Sequence, residues 1–160
     1  MEIKYRRSVL IGTLLGDANF FGKKNKGVMF GHCAKQYEYG QWKLSVISRG
    51  FKIGSKECLA KSMTSPSGNR TAFYKFWTTS SYKITAIHKR MVVNGKKDIT
   101  EYALKHMGVI GLAILFMDDG CKETNKGKIR AFKISLGGFR KESVDRFALH
   151  IRAEYDIDSK

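Results

Sequence analysis

The stretch VIGLAILFMDDGCK, residues 109–122, runs without a charge from Val109 to Met117 and then sets two carboxylates side by side before a glycine. An apolar run of that length suits a buried helix and falls short of the ~20 residues needed to cross a bilayer. A carboxylate closing a helix is electrostatically misplaced, because the macrodipole and the orphan carbonyls there are already negative. Coming straight after an apolar run, it also starts near the interior, where an unpaired charge is costly. Asp118 and Asp119 therefore call for a cation.

The arrangement occurs twice. SVLIGTLLGDA (8–18) is a second apolar helical segment, closing on Asp17, and each segment is followed by a basic loop containing Asn-Lys-Gly, at 25–27 and 125–127. Asp17 and Asp119 stand 102 residues apart, and the same shift sets the amphipathic QWKLSVI (41–47) against SVDRFALHI (143–151). The shared order predicts a unit of helix, two strands, helix, two strands, helix, followed by the start of a second copy. Side-by-side packing of the two apolar helices would bring Asp17 and Asp119 to one end, with Gly12, Gly16 and Ala113 as the small residues that allow close approach.

Between these landmarks Ser8 reads as the N-cap of the first helix. VMFGHCAKQ (28–36) is strand-like and QYEYGQWKLSVISRGF (36–51) helical. KECLAKSMTS (56–65) and TAFYKFWTTS (71–80) form a hairpin around SPSGNR (65–70), which holds the single proline, Pro66. Along its second strand Thr71, Phe73, Lys75 and Trp77 share one face and Ala72, Tyr74 and Phe76 the other. SSYKITAIHKRMVV (80–93) is a further helix, leading to the turn NGKKDIT (94–100).

Composition points to the partner. Thirty Lys and Arg against 14 Asp and Glu leave a formal charge of +16, which favours a polyanion, nucleic acid first. Between Asp17 and Asp98 the only acids are Glu38 and Glu57, against sixteen Lys or Arg, so most of those cations face solvent or phosphate. Cys33, Cys58 and Cys121 lack disulfide or zinc spacing, and the four histidines are scattered. No signal-peptide pattern opens the chain.

A hard divalent ion answers both penalties on the aspartates, since carboxylates, terminal carbonyls and water are the ligands Mg²⁺ prefers. Carboxylates holding such ions beside a phosphodiester are an arrangement for hydrolysis. A single Asp-Asp-Gly is also an ordinary turn, with Gly120 as the C′ glycine. As a calcium loop DDGCKETNKGK fails, because Lys122 takes a ligand position and no glutamate closes it. The pairing of two helices, not either aspartate alone, carries the reading.

LIGTLLGDA (10–18) and LAILFMDDG (112–120) resemble the twin LAGLIDADG motifs of homing endonucleases, with Ala18 and Ile114 where the pattern has glycine. FMDDG and NGKKDI look like the single-chain subgroup represented by the yeast mitochondrial omega-intron endonuclease, and the similarity runs from about Val9 to Tyr155. The resemblance implies an α+β fold of αββαββα repeats about a pseudo-twofold, with antiparallel sheets forming a saddle over double-stranded DNA. It implies strands in the major groove of a long asymmetric site, where bases are distinguishable, and hydrolysis of both strands with Mg²⁺ or Mn²⁺. On this chain the metal-binding acids map to Asp17 and Asp119, with Gly16 and Asp118 supplying backbone carbonyls. Lys97, with Lys96 beside it, maps to a lysine that polarises or deprotonates water or stabilises phosphate charge. Lys23, Lys24, Lys26, Lys126, Lys128 and Arg130 in the two basic loops, and Arg70, Lys75 and Trp77 on the strand, are placed to contact DNA.

Residues 1–99 make the first repeat and 100–160 the start of a second. The second lacks a second hairpin, a closing helix and a counterpart of Lys97, and supplying them is expected to restore site-specific cutting by a monomer. Apolar runs too short for a bilayer and the missing signal pattern lead to the expectation of a soluble, intracellular protein that is not secreted and has no membrane contact. Relatives are encoded by introns or free-standing genes in organelles, bacteria and phages, so the resemblance implies an organelle matrix (mitochondrion or chloroplast) or a bacterial or phage-host cytoplasm. The alternative reading is an RNA-splicing maturase or a non-cleaving nucleic-acid binder.

Overall fold

Helix α1 (Ile3–Leu15) is buried at every position from Ser8 to Leu15, so over that stretch it has no solvent-facing side and is surrounded by protein. The computed structural model describes residues 3–21, 27–33, 36–64 and 70–158, with backbone only at 29, 31–33, 55–64 and 70–74. Lys23, Lys24, Lys26 and Pro66 lie outside the described residues, as does the side chain of Arg70.

Strands β1 (Asn19–Phe21), β2 (Gly27–Cys33), β3 (Ile53–Thr64) and β4 (Arg70–Thr78) form an antiparallel sheet in the order β1-β2-β4-β3. Its core face carries Val28, Phe30, Phe76 and Thr78, all buried, with the Phe30 and Phe76 rings stacked at 4.5 Å in register. Lys75 and Trp77 take the opposite face, as the alternation predicts. Helix α2 (Tyr37–Ser48) turns Gly40, Lys43, Val46 and Ile47 inward, and α3 (Tyr82–Met91) turns in Ile84, Ile87 and Met91. Met91 ends α3, and Val92–Val93 (β5) pairs with Lys96–Lys97 (β6) across Asn94-Gly95, both at positive φ. That is the two-residue turn that Asn-Gly favours.

Helix α4 (Glu101–Asp119) follows, then strands β7 (Gly120–Asn125) and β8 (Lys128–Ile134), which make a hairpin exposed throughout from Cys121 to Lys133. Helix α5 (Lys141–Tyr155) turns Ser143, Phe147 and Ile151 inward. Thus α4-β7-β8-α5 repeats the order α1-β1-β2-α2, and among the described residues β3, β4 and α3 have no second counterpart.

Three local expectations are corrected. Ser8 does not cap α1, which begins five residues earlier at Ile3. Instead α4 breaks at Gly108 (φ 56°), and the Ser8 hydroxyl donates to the Met107 carbonyl and accepts from the Gly111 N–H at 2.9 Å. A hydroxyl from the neighbouring helix thus satisfies the two backbone groups the break leaves open. Ala113 is exposed; the small residue that meets α1 is Gly111, so close that a Cβ on Gly12 would lie 2.3 Å from its carbonyl oxygen. Gly120 is extended (φ −90°, ψ 151°) rather than left-handed, and is small because a Cβ there would lie 2.2 Å from the Phe116 carbonyl oxygen.

Candidate active site at the paired helix ends

The Gly12–Gly111 approach lays α1 and α4 side by side in the same direction, so their C-terminal ends coincide. At that end a Cβ on Gly16 would fall 2.6 Å from Asp118 Cβ, and the Asp17 N–H points at Asp118 Oδ2 from 3.5 Å. Asp17, Asp118 and Asp119 are close enough to feel one another's charge. The protein around Asp17, together with the charges of Asp118 and then Asp119, pushes its acid up to about 6 although the residue keeps solvent access. Burial, then Asp118, raises Asp119 in the same direction.

Asp118 differs from its neighbours. Lys43 Nζ donates to both of its oxygens, at 2.6 and 2.8 Å, and both side chains are fully buried. The Tyr39 hydroxyl donates to Oδ1 at 2.9 Å, and burial with the Asp118 charge drives that phenol above its ordinary range. The Lys43 ammonium also stands 4.3 Å from the centre of the Tyr39 ring. Motif reading missed Lys43 and Tyr39. Their only trace in the sequence is a lysine on the buried stripe of α2, between Gly40 and Val46.

Lys97 reaches the same place from the β5–β6 hairpin. The two-residue turn aims it inward and leaves Lys96 exposed; its Nζ donates to the carbonyls of Gly16 and Ala18, each at 3.0 Å. Burial lowers its proton affinity, against the opposing pull of Asp119 and Asp17. One of the two carbonyls expected to face a metal is therefore also a lysine acceptor.

Three carboxylates thus face two ammonium groups. Among the described residues no hydrogen bond or ion pair reaches the carboxylates of Asp17 and Asp119, although Lys97 and Lys43 act on both at longer range, and no cluster of three or more His, Cys, Asp or Glu forms a metal site. Two oxygen-donor carboxylates, crowded, partly desolvated and, among the described residues, one negative charge in excess, are of the chemistry that suits a hard divalent cation, whose remaining ligands would be other oxygens.

The expected DNA-contacting residues divide. Lys126, Lys128 and Arg130 stand exposed on the β7–β8 hairpin, and Lys126-Gly127 forms its positive-φ turn. Lys75 is half-buried on the outer face of β4, next to Trp77, which packs over Gly54 and edge-on to Phe21 at 6.5 Å. Of these four described cations, none forms a hydrogen bond or ion pair with the three carboxylates. Cys121 is exposed, and no helix of the described residues is long and apolar enough to cross a membrane.

The model of the LAGLIDADG DNA endonuclease family matches residues 7–160. The structure described as the homing endonuclease I-WcaI bound to its DNA recognition sequence superposes with a TM-score of 0.82 at 20% identity, over 98% of this chain and 70% of that one. Among curated sequences, Protein RecA of Mycolicibacterium flavescens is 30% identical over 117 residues, covering 70% of this chain and 25% of the relative. Protein RecA of Mycolicibacterium chitae is 26% identical over 163 residues, covering 94% of this chain and 36% of the relative. The chain thus spans between a quarter and just over a third of those relatives' length.

Proposed function

From the premise that the chain belongs to the LAGLIDADG DNA endonuclease family, we propose that it is a homing endonuclease that hydrolyses both strands of a long, asymmetric DNA site with a divalent metal. The observation that carries the reading is the convergence of Asp17 and Asp119 at the paired helix ends, where among the described residues neither carboxylate has an ion-pair partner, while Asp118 is neutralised by Lys43.

Asp17 and Asp119, with the Gly16 and Asp118 carbonyls at the same helix ends, would hold the ion. Bound there, Mg²⁺ or Mn²⁺ would supply an activated water and stabilise the leaving oxygen. Lys97 has two positions of its nitrogen committed to the Gly16 and Ala18 carbonyls. The third serves the reaction, by donating to a phosphate oxygen or taking a proton from water. Residues 1–99 and 100–160 act as the two repeats, with Lys75 and the cations of the basic loops meeting DNA. Lys126, Lys128 and Arg130 set affinity mainly through phosphates.

The test is cleavage of supercoiled plasmids carrying the DNA that flanks the coding sequence, with its interruption removed. Wild type should convert them to linear form with Mg²⁺ and not with EDTA. Asp17→Asn and Asp119→Asn should each lower the rate by several orders of magnitude while duplex affinity holds. Duplex binding by all forms with cleavage by none would instead mark a non-cleaving binder.

A further inference from the structure

At the other end of the helix pair lies a cleft of about 530 Å³, between the N-terminal turns of α1 and α4, the end of α2 and the face of α3. That is within the size range of small-ligand sites. Arg6, Arg7, Arg49, Lys83 and Arg90 line it, and among the described residues no Asp or Glu does. Five like charges around one concavity repel unless an anion sits among them. Two are held in place: the Arg6 guanidinium donates to the Arg49 carbonyl at 2.5 Å, and Arg90 stacks over the Tyr102 ring at 5.1 Å. The field extends past the rim, because His106 gives up its proton more readily owing to burial and then to Arg7, Lys105 and Arg90.

The cleft also carries aromatic surface. Phe51 and Tyr102 form part of its wall, and Tyr82 stands at its mouth with 80% of its surface exposed. Guanidinium groups beside an exposed ring suit a strand whose bases are unpaired and free to stack, whereas a duplex keeps its base faces hidden. Ten residues of chain, about 15 Å of helical rise, separate Arg7 from Asp17. A duplex seated over the carboxylates would meet the opposite end of the helix pair.

We propose that this cleft is a second nucleic-acid site, distinct from the carboxylate end, that takes single-stranded nucleic acid with its phosphates on the arginines and a base on Tyr82. The test is fluorescence anisotropy of the full chain with a labelled single-stranded oligonucleotide, made as RNA and as DNA, with and without excess unlabelled duplex. Wild type should bind the strand in the presence of duplex. Arg7→Gln/Lys83→Gln/Arg90→Gln, all at exposed positions, should weaken single-strand binding and flatten its log–log salt slope by about 2. Tyr82→Ala, too exposed to matter for folding, should weaken it about tenfold. Neither variant should change duplex affinity. Equal losses on strand and duplex, no loss on either, complete displacement by duplex, or release by polyglutamate as effective as by unlabelled strand would each overturn the proposal. Cleavage is not read, so the outcome does not depend on the nuclease reading.

Discussion

Lys43 and Asp118 form a buried charge pair whose geometry, with a third bond from Tyr39, leaves neither group exposed. Removing one partner strands the other in the interior, so Lys43→Met should cost about 3–5 kcal/mol in urea unfolding. Adding Asp118→Asn should recover most of that, because the amide still accepts from Tyr39 without a charge. A single-variant loss below about 1 kcal/mol would show the pair behaving like a surface one. Asp17 responds to pH with a definite sign. Its acid rises from 3.8 to about 6 on folding, so its contribution to stability is fully present below about pH 4 and is lost as pH climbs through 6. Thermal melts without metal should therefore show Asp17→Asn gaining on wild type above pH 6 and matching it below pH 4. Mg²⁺ should raise the melting temperature of wild type above pH 6 and leave the variant unmoved. The aspartates were legible because a charge at an apolar helix end is anomalous in any fold; Lys43 was not, since a lysine on an amphipathic helix ordinarily reaches solvent by its stem.

At the scale of elements, the helix pair depends on glycine where backbones touch. A methyl group on Gly12 would meet the Gly111 carbonyl, which cannot rotate away, so Gly12→Ala must push the helices apart. The expected cost is about 1–3 kcal/mol, together with slower cleavage as the carboxylate ends separate. Gly137→Ala, where a Cβ meets nothing, is the control and should change neither. Periodicity and turn chemistry predicted the order of helices and strands, but the helix expected over 80–93 ends at Met91 and Val92–Val93 instead pairs with Lys96–Lys97. The break in α4 escaped prediction because Gly108 alone reads as a tolerated helix glycine, and only the Ser8 hydroxyl from the other helix makes the interruption stable.

At the scale of the whole molecule, cations gather around the cleft at one end of the helix pair and again on the hairpin that follows α4. The β7–β8 hairpin presents Lys126, Lys128 and Arg130 to solvent. Replacing all three with Gln should weaken duplex binding broadly across sequences and reduce the log–log salt slope by about 2.7, as for three lost phosphate contacts. An unchanged slope in a filter-binding titration would exclude this hairpin from the DNA-facing surface.

The sequence by itself determined the duplicated order of elements, the two apolar helices and the acids that end them, because periodicity and charge placement are local properties of the chain. Tertiary structure decided which neighbours those acids have: Lys43 from α2 neutralises Asp118, and Lys97 from a hairpin binds the Gly16 and Ala18 carbonyls. Those partners lie 75 to 81 residues away along the chain. A charge's energy depends on distance and burial in space, and neither can be read from separation in sequence.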